Sequence, residues 1–347
     1  MQQVVRDNHY VPQGLIRRWS TDGLRVHAYR TLVSHGDVPL WTSQSIQNVA
    51  CARDLYTDVV GGQEHDDFEK WIESEFEGPG LAAVERLVRG LRLSPNHWRD
   101  LIRLYAAQHV RTPSSYSHFM RWCGKELEPA LDASLSRMFG PLQNAKRGPP
   151  AKATADASPT PTCLKKAFES LLRVRVDEAA DAEGRVAVRA EIAAGRSFWI
   201  AWMRHLLNGI VKSLYYHRWR VLIPHGDAEW VLTDHPALRV NYNGPRDYSV
   251  EGGWGFEGSD LMMPVSPRHL LHVQVGHRGE PRAVCSEELT LRIQRLYAET
   301  ALRWILSTSP HLWVAHARPR VVDAVRFKDE QEQWRGWHEN QKSAEEW

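Results

Sequence analysis

The spacing of apolar residues changes period along this chain, and that change constrains the fold more than any single motif. Between "QEHDDFEKWIESEF" and "SSYSHFMRW" the spacing is helical. Phe68, Trp71, Ile72 and Phe76 share one face with acidic residues opposite, and Leu101, Leu104, Tyr105 and His109 form a second stripe. The flanks differ. Near the start, "LRVHAYRT" alternates Leu24, Val26 and Ala28 against Arg25, His27 and Tyr29, "VPLWTSQS" reads as its return strand, and a short strand is expected at Leu55–Thr57. From Trp219 onward, "WRVLIPHG", "AEWVLTDHPALRVN", "LMMPVSP" and "LLHVQVGH" are short strand-like runs separated by Gly, Pro, Asn and Asp. The reading is an α+β fold, predominantly helical, with an antiparallel sheet built from N- and C-terminal strands beside a helical bundle.

Local punctuation places the elements. Ser94 followed by Pro95 predicts a helix start, and Pro113 should interrupt that helix. Ser286 predicts a cap for a final long helix through "SEELTLRIQRLYAETALRWILST", "HLWVAHA" reads as a last strand, and the charged tail reads as a solvated helix. "NAKRGPPAKATADASPTPT", Asn144 to Thr162, lacks periodicity and reads as a linker; the charged stretch from Cys163 to Gly195 reads as exposed helices. Three segments follow: 1–142 with the opening motif, hairpin and helices; 143–195 as an insertion; 196–347 with a core helix, strands and C-terminal helix. Together they read as one composite domain.

Composition narrows the function. With 347 residues, 42% hydrophobic and 25% charged, the chain has ample length and apolar content for a core. A formal net charge of +2 provides no global field for nucleic acid or anionic membrane, so any basic surface must be local. "SFWIAWMRHLLNGIVKSLYY" is interrupted by Arg204, His205 and Lys212, which makes it a core helix and not a membrane span. The start has no basic-then-apolar signal pattern, and four dispersed cysteines without a CxxC pair read as reduced thiols, so the expected location is the cytoplasm. The 15 tryptophans read either as core or as the aromatic walls of a ligand site.

Polar chemistry gathers in three blocks. In "RDNHYVPQGLIRRWS", His9 could act as a general base and Arg17 as a clamp on phosphate or carboxylate, with Tyr10 and Gln13 beside them. The structural alternative is that His9 and Tyr10 tie the segment down by buried hydrogen bonds. Gln108 and Arg111 lie three apart near a helix end, placed either to bind an anion or to cap carbonyls before Pro113. Asp234 and His235 follow a strand; Asp234 could orient His9 or hold a metal, or bond its own backbone ahead of Pro236. Ser266 beside Pro267 is a turn residue without a nucleophile elbow around it. Despite 17 histidines there is no linear zinc or calcium motif, no Walker loop and no G-x-G-x-x-G. A divalent metal held by distant residues such as His9, Asp54 and Asp234 stays open.

Five blocks taken together resemble a known bacterial family, catalogued as domain of unknown function four-two-three-eight. They are "NHYVPQGLIRRW", "DLYT" at Asp54–Thr57, "QHVRTP" at Gln108–Pro113, "LTDHP" at Leu232–Pro236 and "MPVSP" at Met263–Pro267. The chain departs from the family pattern with Trp19 where Phe is commoner, His235 where a small polar residue is commoner, and a long insertion. The resemblance implies a family without implying a reaction.

The residues supply a base, cationic clamps and a carboxylate, the minimum for phosphoryl-oxygen chemistry. The leading expectation is therefore a cytoplasmic hydrolase of a phosphodiester or similar anionic substrate, in its narrower form a nuclease-like effector. Its catalytic residues would be His9, Asp234 and His235, and its substrate contacts Tyr10, Gln13, Arg17, Gln108 and Arg111. The alternatives are a non-catalytic module binding nucleic acid or a small anionic ligand with a partner protein, and an enzyme of small-molecule metabolism. An enclosed pocket favours the last, and an open basic groove favours nucleic acid.

Overall fold

The computed structural model describes residues 5–60, 63–127, 129, 172–178, 186–192, 195–244, 247–250 and 252–345. The expected linker at 144–162 lies outside them. The chain opens with β1 (Asp7–His9), α1 (Gln13–Ile16) and a 3₁₀ turn (Arg17–Trp19). Short strands follow: β2 (Arg25–Arg30), β3 (Leu32–Val33), β4 (Trp41–Ser45), β5 (Cys51–Arg53), β6 (Asp58–Val60) and β7 (Gln63–His65). The expected strand at Leu55–Thr57 is instead the turn between β5 and β6, entered through Asp54 at φ +52. Asp tolerates that left-handed geometry better than most side chains.

The helical section is α2 (Asp67–Ile72), a π turn (Glu73–Glu77), α3 (Gly78–Val88), α4 (Pro95–Val110) and α5 (Pro113–Trp122), which runs into a second π turn (Cys123–Leu127). Ser94 accepts from the His97 amide at 3.4 Å and Thr112 from the Ser115 amide at 3.3 Å, so each proline sits in a first turn behind a hydroxyl cap. Residues Leu172–Glu178 and Val186–Ile192 form an antiparallel hairpin, β8 and β9, where exposed helices were expected. The alternation in "LRVRVDE" and "VAVRAEI" is the period-two signal that accounts for it. Then come α6 (Arg196–Asn208), a 3₁₀ stretch (Ile210–Tyr216), β10 (Arg220–Ile223), β11 (Leu232–Thr233), β12 (Leu238–Gly244), β13 (Asp247–Ser249), β14 (Asp260–Ser266), β15 (His269–Gln274) and β16 (Arg282–Val284). The chain closes with α7 (Glu287–Thr300), β17 (Trp304–Ser307), α8 (Leu312–Ala317), β18 (Val321–Val322), α9 (Ala324–Arg335) and α10 (Trp337–Glu345). Two expectations fail here: "WILS" is a strand and not the end of the long helix, and "HLWVAHA" carries a short helix and not a strand.

Strands from both ends of the chain share one four-stranded sheet, ordered β11-β17-β2-β4 and antiparallel throughout. A six-stranded sheet, β13-β12-β14-β15-β10-β16, comes wholly from the C-terminal half. Alternate residues of the central strands feed two cores. Val26 and Ala28 of β2 join the core shared with α3, α4 and α6, whereas Tyr29 joins the core under α7; Leu306 and Ile305 of β17 divide the same way. This two-sided burial explains why β14 and β15 read as near-continuous apolar runs. The Trp19 indole donates to the Trp230 carbonyl at 2.7 Å, and the Tyr105 hydroxyl to the Leu238 carbonyl at 2.9 Å, so the tryptophan-rich interior is tied down by polar contacts as well as packing. Among the described residues no helix is long and apolar enough to cross a membrane.

Candidate active site

The polar blocks separate into three places. The first centres on Arg111, the residue that ends α4, whose guanidinium is buried. It ion-pairs with Glu77 and, at 3.5 Å, with Glu69; it also donates to the His9 carbonyl and, at 3.3 Å, to the Tyr56 hydroxyl. The Tyr56 hydroxyl in turn donates to the Arg111 carbonyl. Burial works against the Arg111 charge, but Tyr56 and Glu69 outweigh it and the pKa is raised. Arg111 is therefore a staple joining β1, the Asp54–Thr57 turn and the α2 segment, not an open clamp for an anion. Burial likewise raises the Glu69 pKa.

His9 presents its carbonyl, and not its ring, to that staple. Its Nδ1 lies 3.4 Å from Gln13 Nε2, and burial lowers its pKa. No hydrogen bond or ion pair among the described residues joins the His9 ring to Asp234. Arg17 is exposed on the 3₁₀ turn with no ion pair to a described residue. Gln108 is fully buried, and neither atom of its amide has a hydrogen-bond partner among the described residues.

The second place is Asp234. Its carboxylate accepts the amides of Leu302 at 3.0 Å and Arg303 at 2.7 Å, so it fastens the α7–β17 turn and not its own Asx turn. Burial lifts its pKa to about 6 even against those donors. Tyr10 is buried close enough to Asp234 and Arg303 for both charges to act on its hydroxyl, and burial raises its pKa. The expected assembly of His9, Arg17, Arg111 and Asp234 around one cleft is thus not found. Local electrostatics had partners nearer to hand: main-chain amides for Asp234, and buried carboxylates for Arg111.

The third place keeps a chemical character. His235 leaves the Asp234 turn and enters a cavity of about 210 Å³, which it shares with His109 from α4, Ser115 and His118 from α5, Arg239 from β12 and Trp254. Thr112, the α5 cap, places its Oγ1 3.4 Å from His235 Nδ1, so the "QHVRTP" and "LTDHP" blocks do meet, through Thr112 and not through Gln108 or Arg111. Burial, then His118 and Arg239, lower the His235 pKa to about 4. Burial, then Arg239, His235 and His118, hold His109 well below its ordinary value, and its Nδ1 has no hydrogen-bond partner among the described residues. Both rings are neutral near pH 7, and each feels the same cation. His109 is fixed in an aromatic ladder: stacked on Tyr105 with centroids 6.2 Å apart, and 5.5 Å from Trp254, while Tyr105 meets Trp219 at 5.1 Å. The "GGWGFEG" loop therefore turns Trp254 inward as a wall and leaves Phe256 exposed. No group of three or more His, Cys, Asp or Glu arranged to hold a metal is found among the described residues.

Of the sequence candidates, only His235 faces this cavity. His109 lies inside the "QHVRTP" block but reads as part of a core stripe. His118, nine residues on, and Arg239, four beyond His235, carry no pattern that marks them, because their meeting depends on how α5 packs beside β12. No curated protein and no solved structure matches the chain. The model of the family described as "Protein of unknown function (DUF4238)" matches residues 7–311, a span that takes in all five motif blocks, the Arg111 staple and the histidine cavity, and the chain belongs to that family.

Proposed function

We propose that the chain is a hydrolase acting on a small anionic substrate of the phosphoester class, with the cavity around His109 and His235 as its active site. The observation that carries this is the pairing of two imidazoles kept neutral by burial with a third, His118, and Arg239 around one small cavity. A neutral imidazole can take a proton from water as its oxygen bonds to phosphorus, then return that proton to the departing ester oxygen as the P–O bond breaks. Arg239, which also interacts with the protein itself, has the planar donors that suit developing charge on phosphate oxygens. At about 210 Å³ the cavity takes a phosphate group and little else, so the substrate is a small ester or the end of a longer strand. The unpaired thiols of Cys51, Cys123 and Cys285 support a reducing, cytoplasmic setting.

The test is hydrolysis of p-nitrophenyl phosphate, bis(p-nitrophenyl) phosphate and short oligonucleotides, with and without added divalent metal. His235→Ala is expected to lower kcat/KM by about 100-fold or more, the usual worth of a positioned acid–base group. Turnover that survives His235→Ala unchanged would remove the reading. A second reading, a non-catalytic binding module, is favoured by the fact that the cavity lining contains no carboxylate among its described residues while Asp234 is committed to main chain. Calorimetric binding of inorganic phosphate with no turnover of any of these substrates would select it.

A further inference from the structure

A groove of about 870 Å³ lies between the first turns of α4, the Tyr215–Trp219 segment and the loop joining β15 to β16. Its lining includes Arg92, Arg99, Arg218 and Arg278 together with Trp98 and Tyr215, and contains no carboxylate among the described residues. The arginines come from three separate stretches of chain and converge only in the fold.

Their state differs from that of arginines elsewhere. Arg6, Arg18, Arg30, Arg103 and Arg111 each have a carboxylate partner. Arg92, Arg218 and Arg278 are exposed, and their guanidinium groups make no ion pair or hydrogen bond with a described residue. Arg99 is exposed and lies over the Tyr215 ring at 5.8 Å. The acids nearby include Asp100, which acts on the Tyr215 hydroxyl together with Arg99 and Arg103, the exposed Glu280, and Glu257, whose side chain lies against Gly276. None of them lines the groove. Trp98 and Tyr215 are half-buried, so each keeps ring surface in contact with solvent.

We infer that this groove binds single-stranded nucleic acid. Unpaired guanidinium groups on several walls suit a flexible phosphate backbone, and half-exposed aromatic rings between them suit unstacked bases, which a duplex does not present. The groove is also large enough for more than one nucleotide, where the histidine cavity at about 210 Å³ is not. Trp98 and His109 lie on the same helix, roughly 16 Å apart at 1.5 Å per residue. The ring nitrogen of His217, which lines the groove, lies 2.6 Å from the carbonyl of Trp254, which lines the cavity. The inference stands on the groove alone and does not require the cavity to be catalytic.

Fluorescence anisotropy with labelled oligo(dT) and oligo(U) decamers tests it, alongside a ten-base-pair duplex, an abasic decamer and inorganic polyphosphate as competitor. Both single strands should bind, with a log–log salt slope of about −3 if four phosphates are neutralised. The abasic decamer should bind about ten-fold or more weakly, because stacking is lost. Arg218→Glu/Arg278→Glu changes only exposed side chains, so it should fold normally and weaken binding at least ten-fold. No binding of either strand, or binding unchanged in that variant, would overturn the inference. So would equal affinity for the abasic strand, the duplex or polyphosphate, which would make the groove a general polyanion surface. A preference between the two decamers identifies RNA or DNA as the ligand.

Discussion

Arg111→Met tests whether the motif arginine is a staple. The substitution keeps most of the side-chain volume but removes one charge that meets Glu69 at 3.5 Å and also pairs with Glu77, along with the donors to the His9 carbonyl and the Tyr56 hydroxyl. Removing one member of a buried ion pair costs about 3–5 kcal/mol, since the remaining charge is left desolvated. The side chains of Glu69 and Glu77 retain 17% and 14% exposure, so some rehydration is available and the lower end, about 3 kcal/mol, is expected. At about 2.1 cal/mol/K of unfolding entropy per residue, a chain of 347 residues turns this into a fall in Tm of roughly 4 °C. With Arg111 gone, Glu69 binds a proton more readily in the folded state than in the unfolded one, so the deficit should shrink as pH falls from 7 to 5. Urea unfolding monitored by tryptophan fluorescence measures all of this, and Glu69→Gln/Glu77→Gln in the Arg111→Met background should recover part of the loss. If Arg111→Met unfolds within about 0.5 kcal/mol of the parent yet loses ligand binding, the guanidinium is an open clamp and the staple argument is wrong.

Two further outcomes follow from buried polar groups. Between pH 6.5 and 4 the unfolded chain protonates His235 while the folded chain does not, so stability contributed by the neutral ring, about 3 kcal/mol, is present above pH 6.5 and lost as pH falls toward 4. His235→Gln should flatten that acid limb by about one proton in urea titrations, and an unchanged slope would contradict the burial argument. Gln108→Met should leave stability unchanged or raise it by about 1–2 kcal/mol, because neither amide atom has a partner to lose; a fall in Tm would mean that the amide is satisfied in solution.

What could be read from the sequence was chemistry that acts over a few residues. The Ser94–Pro95 start, the break at Pro113 and the Ser286 cap were legible because a hydroxyl three residues before an amide satisfies it wherever the rest of the chain lies. The period of β2 was legible at Val26 and Ala28 but not at Leu24, which lies exposed ahead of the strand, and it misled on the other face, since Tyr29 meets a second core that only α7 and β17 create. "WILS" could not be separated from the helix before it, because a short apolar run buried on both sides has no distinguishing period. The site divides the same way. His235 stood out as an ionisable group between Asp234 and Pro236, whereas Arg111 was assigned a ligand because its true partners lie 34 to 102 residues back along the chain.

The strand order β11-β17-β2-β4 also sets a timetable for synthesis. The β2–β4 hairpin leaves the ribosome early, but β17, which pairs with Arg30 through Trp304, is made more than 250 residues later. At 5–20 residues per second that is a delay of roughly 15–50 s, during which β2 has an unpaired edge and Tyr29 lacks its core. A nascent chain of this kind needs either a slow, guarded wait or a holdase, and translation pauses between β4 and β17 would be costly to its yield.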